Sequence, residues 1–596
     1  LKGLDSTIRT VCCILCLATI IVSLIMLPGK SHSIFILPKL NVLLVAALIL
    51  IFYWVYLFIR QNCLYIPSLQ STKLAIFLLF IFTITIFYSP SLRLFLQGYA
   101  IYLSCIIFFI FASMFINYKG AIFVSLAIVL SAIVCAAYAF LQYMGIDFVK
   151  AWAYNQVTGT MGHANFLGSF YLLAFPLICG LILLSKGLKR LILLGLALFL
   201  ISNIILVRVR GAWIGLIASV LFLIWHLFKT YSISIGDFYK RHCKEGIGFL
   251  IAILFAIGII YIANPKVFSE KMALGSLVNT MTIRERFKHY QAGWELFKES
   301  PFIGNGIWSY RSRVYEMQAK IGKKDKGYFK NYINPMPRRV HNEYLEIATE
   351  VGLLGLTIFL FLLWVVFKDG FYMLNKKEVS REKKTLIISY MASIVGTLIH
   401  ALFFFPFRIP ANAFIFWLQL GIIEALTNEG KQLKVLKINK GLGAPLQSLI
   451  LLSMSIILFL AFWFGAGRML LASIQFSNYK RAIARENYKK AEIILKNILK
   501  NDPKNSYFLT IASSFYLKYK GDYLKASQYA QDCIKYFDGS IPLWCAYYNL
   551  GIIRLKQGRI PEAKNAFENS LYYLPNYESS KRILERISFI MGSRDT

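Results

Sequence analysis

The chain has 596 residues, of which 58% are hydrophobic, 16% aromatic and only 16% charged, with a mean hydropathy of +0.59. That is far more apolar than a soluble globular chain, so lipid must be the solvent for much of it. The 65 Lys and Arg against 29 Asp and Glu leave a net charge of +36, a surplus that in a membrane protein belongs near anionic head groups or phosphates and not to nucleic acid.

Apolar runs long enough to cross a bilayer fall near 11–29, 40–59, 72–89, 97–116, 120–143, 165–185, 190–207, 211–228, 247–263, 352–369, 386–407, 410–427 and 446–466. At roughly 17 to 25 residues per crossing, they predict about thirteen spans and an all-α, polytopic transmembrane helical bundle. The first run, Val11 to Pro28, is long and lacks a small-residue cleavage pattern, so it reads as a span and not as a signal peptide. Cys12, Cys13, Cys16, Cys105, Cys135 and Cys179 lie in apolar runs without CxxC pairs or flanking histidines. They read as small apolar residues, and no metal site or cofactor is expected.

Loop charge orients the spans. Lys186, Lys189 and Arg190, then Lys229, Lys240, Arg241 and Lys244, then Lys368 to Lys384, then Lys431 to Lys440 fall in alternate loops, which assigns those loops to the cytoplasm. The opposite set faces out: the segment from Tyr154 to Asn165, the turn at Arg208 to Gly211, and a long segment over about 264–350. An odd span count also sends the chain after about Gly467 outside. The long segment is basic, yet long loops translocate largely regardless of charge. Its cations fit either a solvated loop beside anionic lipid or a surface for a phosphorylated substrate, to which arginine presents a planar fork of donors.

Three external features carry reactive side chains. In Val207-Arg208-Val209-Arg210-Gly211-Ala212-Trp213, two arginines sit at the junction of consecutive spans; there they either snorkel to the interface or face a polar cavity. The run from Arg286 through Tyr290 and Trp294 to Pro301, Gly304 and Gly306 reads as an amphipathic interfacial helix ending in a turn, with Arg286 at its start. In Arg338-Arg339-Val340-His341-Asn342-Glu343-Tyr344-Leu345, a histidine follows two arginines at the mouth of a span. Histidine accepts a proton near neutral pH and is the commonest general base.

The tail after Arg468 is polar and repetitive. Trp544, Tyr547, Leu550, Gly551, Gly558, Ala563, Phe567 and Pro575 have the spacing of a tetratricopeptide repeat, and Ala491, Leu495, Pro503, Gly521, Ala526 and Ala530 fit degenerate earlier copies. The expected organisation is a transmembrane domain over 1–467 and a small helical solenoid over 468–596. The solenoid either caps the structure or binds an acceptor or protein partner. Cys533 and Cys545 are candidates for a disulfide across adjacent repeats.

Over approximately residues 155–430 the sequence resembles the O-antigen ligase and O-antigen polymerase superfamily of bacterial membrane glycosyltransferases. Four pieces carry the resemblance: Gly159-Thr-Met-Gly162-His-Ala-Asn165, Arg210-Gly211-Ala212, Arg286 through Gly306, and His341-Asn342-Glu343-Tyr344-Leu345 through Gly355. Val209 stands where a small polar residue often precedes the arginine, and Tyr290 where tryptophan is common. The resemblance implies a glycan donor on an undecaprenyl-pyrophosphate carrier and an acceptor that is a glycan, lipid, cell-wall polymer or protein. It places the active site at the outer face of the cytoplasmic membrane. Catalysis would be metal-independent and inverting, with His341 as base and Arg210 and Arg286 on the pyrophosphate. Asn165, Arg208, Arg338, Arg339 and Asn342 would be substrate contacts. A polymerase joining lipid-linked repeat units is the rival within this class, and the tail favours ligation. A transporter or flippase of lipid-linked glycans is the rival from another class; it would show repeated halves, broken helices and ionisable groups at mid-membrane, which the sequence does not display.

Overall fold

A computed structural model describes residues 2–31, 33–61, 63–149, 157–232, 280–330, 337–437 and 463–592, with a few isolated positions between 258 and 265 and between 449 and 460. Most of the expected spans at 247–263 and 446–466 lies outside the described residues, as does the start of the Tyr154 to Asn165 segment. Ten helices among the described residues are long and apolar enough to cross a membrane. They are α1 (Lys2–Leu24), α2 (Ile36–Gln61), α3 (Gln70–Ile84, extended by a short 3-10 turn), α4 (Leu92–Phe115), α5 (Tyr118–Tyr143), α6 (Ala164–Leu184), α7 (Gly187–Val207), α8 (Arg210–Tyr231), α11 (Glu343–Asn375) and α13 (Pro410–Thr427). Between them lie α9 (Thr280–Glu299), α10 (Ser309–Lys324) and α12 (Arg381–His400).

The expected span at 386–407 is α12, a buried helix that ends at His400 and is not apolar enough to count among the ten. Its interior position explains the composition. Ser389, Ser393 and Thr397 are fully buried, and Ser393 Oγ donates to Leu173 O of α6 at 3.0 Å. Polar side chains are tolerated inside a bundle where neighbouring helices supply partners, and small residues let backbones approach. A Cβ built on Gly215 of α8 would stand 2.5 Å from Gly396 O of α12. This close crossing fixes the start of α8 against the end of α12.

The bundle has two distinct ends. At one, strands β1 (Cys63–Pro67) and β2 (Leu433–Lys437) pair antiparallel, Cys63 opposite Lys437, and Tyr231 Oη donates to Arg381 O at 2.7 Å. Among the described residues, Arg381 and Lys383 of α12 and Lys434 and Lys437 of β2 lie at this end. At the other, Gly162 packs on Phe35, Gly98 on Ile307 and Trp308, and Gly306 on Ser89, so the short turns there gather beneath α9 and α10.

The tail forms three helix pairs, α14 (Arg468–Ala484) with α15 (Tyr488–Asn501), α16 (Ser506–Phe515) with α17 (Tyr523–Lys535), and α18 (Leu543–Lys556) with α19 (Ile560–Tyr573), followed by α20 (Glu578–Gly592). Gly551 lies against the Phe567 ring, where a Cβ would come within 2.7 Å, so the two helices of that pair approach closely. Cys533 and Cys545 are free thiols, and Cys533 Sγ instead donates to Ser506 O. The tail sits on the α9–α10 end. Arg93, at the start of α4, holds Asp502 at 2.7 Å and Asp538 at 2.7 Å, Arg311 donates to Ser540 Oγ at 2.9 Å, and Leu543 joins an apolar cluster with Tyr310 and Val314.

Candidate functional site

The site is organised by a break in α11. Gly352 has φ 67° and ψ −171°, a conformation open in practice only to glycine. The freed backbone groups are taken up by the 301–306 segment. Leu353 N donates to Pro301 O at 2.8 Å, Asn305 N to Thr349 O at 2.8 Å and Gly306 N to Glu350 O at 2.9 Å. Gly304, at φ 78°, lies directly on the Glu350 backbone, where no side chain fits. Two of the motifs expected to carry function thus close on each other.

The short helix before the break buries three carboxylates on one face. Glu343, Glu346 and Glu350 recur at helical spacing and are fully buried. Arg408, from the turn before α13 and itself 2% exposed, bonds Glu343 at 2.8 Å and Glu350 at 2.5 Å. Arg339 bonds Glu346 at 3.1 Å and lies 4.1 Å from the Trp308 ring centroid. Buried carboxylates require such partners, because an unpaired charge there costs several kcal/mol.

Above this cluster sits His341, just outside the helix. Its ring lies 5.5 Å from that of His289 with 24° between planes, and 5.1 Å from Phe405. His341 Nδ1 is buried without a hydrogen-bond partner among the described residues. Burial holds the imidazole well below its ordinary pKa, and His289, Arg286, His163 and Arg339 add to the depression. His289 is pushed down to about 4, first by burial and then by Arg286 and Lys288. Arg286 is itself lowered, first by burial, with Tyr290 opposing and Arg210 contributing. Arg210 and His341 are thus both near enough to Arg286 to feel its charge. Tyr290 Oη donates to His341 O at 3.3 Å and to Leu402 O at 3.4 Å, tying α9 to the end of α12, and Gly211 packs on the His400 ring.

The expected residues separate by task. Arg210 opens α8, and Arg208 ends α7 with φ 57°. Asn342 Oδ1 caps α11 by accepting from Leu345 N at 3.0 Å. Arg339 is held by Glu346. Arg338 is exposed; desolvation lowers its pKa, Tyr315 of α10 and Asp538 of the tail oppose that, and Arg339 adds to it, which places it near α10 and the tail. Asn165 lies at the start of α6, its N–H donating to His163 Nδ1 at 3.1 Å. Of the five non-glycine residues with positive φ among the described residues, Arg208, Trp308 and His341 border this site. Each such conformation costs on the order of 1 to 3 kcal/mol and persists only where the surroundings enforce it.

His163, His400 and Arg408 were not singled out from the sequence. His163 sits inside one of the quoted motifs, which was the available signal. The others lie in apolar segments where nothing local distinguishes them. Below His400, between α11 and α12, an apolar groove of about 290 Å³ is lined by Leu363, Trp364, Phe367, Val395, Leu398 and Ile399.

Residues 194–360 match the O-antigen ligase family, Wzy_C. The match takes in Arg208, Arg210, Arg286, Arg338, Arg339, His341 and Asn342, and leaves Asn165, His400 and Arg408 outside. No curated protein matches the chain. The chain is thus a polytopic, all-α membrane protein in which residues 194–360 are similar to the O-antigen ligase family.

Proposed function

We propose that the protein transfers a glycan from an undecaprenyl-pyrophosphate carrier to an acceptor at the outer face of a bacterial cytoplasmic membrane. What supports this reading is that three separate parts of the chain meet here: Tyr290, one turn on from Arg286, bonds His341 O at 3.3 Å, the His289 and His341 rings stack 5.5 Å apart, and Gly211, next to Arg210, packs on the His400 ring. In the proposed step an acceptor hydroxyl oxygen bonds to the anomeric carbon as the bond to the pyrophosphate oxygen breaks. The electron pair leaves with the pyrophosphate, and the hydroxyl proton passes to His341. Attack opposite the leaving group inverts the anomeric centre. Arg210 and Arg286 offset the charge that develops on the leaving group, a task suited to fixed cations in a partly dry site.

The depressed basicity of His341 fits this sequence of events. Burial first, and then His289, Arg286, His163 and Arg339, oppose its protonation; a bound pyrophosphate offsets the arginine charges and raises the imidazole toward a useful base. The apolar groove beneath His400 offers hydrocarbon contact for the carrier chain. The Lys- and Arg-rich loops at the opposite end of the bundle support an outward-facing site, and the tail, on the site end, then also lies outside. The tail is well placed to receive a polymer or protein acceptor, which favours ligation over polymerisation.

Purified protein incubated with a lipid-linked glycan and candidate acceptors tests the reading through the size of the products. A single addition supports ligation, a ladder means polymerase, and movement of intact lipid-linked glycan across a vesicle without transfer means a flippase.

A further inference from the structure

We propose that a second carbohydrate subsite lies on the other side of α9 from His341, in a cavity of about 340 Å³ bordered by Arg284, Phe287, Gln291, Asp325 and Tyr328, and that it holds a sugar of the glycan remote from the reacting end. The inference rests on the glycan-transfer reading. The register of α9 separates two faces. Arg286, Tyr290 and Gly293 face the reaction centre, since Tyr290 Oη bonds His341 O and Gly293 packs on Val340. Arg284, Phe287, Lys288 and Gln291 recur at helical spacing on the next face. Across the cavity, Asp325 Oδ1 accepts from Gly327 N at 2.8 Å and shapes the turn after α10, while Tyr328, buried and donating from its hydroxyl to Lys288 O at 3.2 Å, forms the floor.

The lining chooses among ligand classes. A pyranose has an apolar C–H face and a rim of hydroxyls that both donate and accept. Phe287, 61% exposed on the cavity rim, offers a ring for that face. Asp325 can only accept, Arg284 can only donate and Gln291 does both, which together answer a hydroxyl rim. A phosphate is the poorer fit. Arg284, Lys288 and Lys330 of the lining would attract it, but Asp325 repels it and Glu285, 3.8 Å from Lys288, offsets one of the three cations. A lipid head group would be the other occupant of an exposed phenylalanine at a membrane surface, and the test separates the two.

The probe is the free oligosaccharide released by mild acid from the lipid-linked glycan used for transfer, with inorganic pyrophosphate and phosphatidylglycerol nanodiscs as comparison probes. Full-length protein, wild type and His341→Ala alike, should bind the oligosaccharide in saturation-transfer NMR. Phe287→Ala and Asp325→Asn should each weaken that binding about tenfold, while Phe287→Trp retains it. Both weakened variants should lose a similar factor in kcat/KM with the full-length donor and none with a donor carrying a single sugar. Unchanged oligosaccharide binding in both variants overturns the subsite, as does an equal loss with the single-sugar donor. Response of the variants to pyrophosphate or phosphatidylglycerol instead assigns the cavity to an anion or to lipid and also overturns it. Failure of the wild type to transfer from any donor counts against the glycosyltransferase reading alone, because oligosaccharide binding is scored separately.

Discussion

The imidazoles of His341 and His289 stack with their centroids 5.5 Å apart, and both are held below the ordinary histidine pKa by burial and by the charge of Arg286. Two neutral imidazoles can stack where two imidazolium rings would repel, so the site is built for the deprotonated form. A group with a folded-state pKa below its unfolded value stabilises the fold above the unfolded pKa and loses that contribution as pH falls. For His289 the loss begins as pH drops through the ordinary value of 6.5 and is complete near 4. Thermal unfolding in detergent should therefore show a midpoint that falls over this window, and His289→Gln should flatten the dependence. An identical pH dependence in that variant argues against a buried neutral His289.

The same depression sets the activity profile. In the free enzyme His341 stays unprotonated well below pH 6.5, so the acid limb of kcat/KM should lie below the usual histidine range. Once the pyrophosphate offsets Arg286, the acid limb of kcat should move to higher pH, since kcat reports the bound complex. Coincident limbs would remove the donor's role in raising the base.

His341→Ala should reduce single-turnover transfer by a factor of about 100 to 10,000 and leave donor binding nearly intact. Near-normal transfer would remove His341 from the mechanism. Glu343 is a poor substitute, because both of its oxygens are engaged, with Arg408 and with Phe407 N. Arg210→Ala and Arg286→Ala should weaken donor binding as well as turnover. Lysine at either position should rescue only in part, as an ammonium keeps the charge without the forked geometry. Transfer should also survive EDTA, because the arginines supply the positive charge; loss restored by one divalent ion would contradict that role.

Gly352→Ala should destabilise the site end even though it adds one methyl group. The added Cβ meets the Phe302 backbone, and the φ of 67° is in the region closed to other residues. A cost of at least roughly 1 to 3 kcal/mol is expected, read as a lower midpoint of unfolding and faster proteolysis within 301–306. Gly258→Ala, which meets nothing within 4 Å, is the control.

Arg93→Ala should loosen the tail. Asp538 is fully buried and would lose its ion pair with Arg93, and removing one member of a buried pair costs about 3 to 5 kcal/mol. Limited proteolysis should then release a fragment beginning near α14, and Arg93→Ala combined with Asp502→Asn and Asp538→Asn should recover part of the loss. Equal protease resistance in wild type and Arg93→Ala would show that the apolar contacts around Leu543 hold the tail without the ion pairs.

The likeness to the O-antigen ligase family was legible from short motifs, yet their residues differ in what they contact. Arg210, Arg286 and His341 share one electrostatic neighbourhood. Arg339 and Asn342, drawn from the same stretch, are occupied in holding Glu346 and in capping α11. The difference turns on where Glu346 and Leu345 N stand relative to each side chain, which no spacing rule supplies. The sequence also gave no sign of a broken helix, while the structure breaks α11 at Gly352; a glycine reads the same in a helix and in the ε region.

Sequence by itself determined the all-α class and most of the apolar helices, because hydropathy and helical periodicity are sums over neighbouring residues. Only tertiary structure decided that His163, His289 and His400 surround the Arg286 and His341 neighbourhood, that Arg408 neutralises carboxylates 58 and 65 residues away, and that Arg93 anchors a tail more than 400 residues downstream. Those pairings depend on which helices cross at Gly215 and Gly396 and on how the chain folds back at Gly304 and Gly352. Close packing between distant segments sets them, and it leaves no local pattern in the chain.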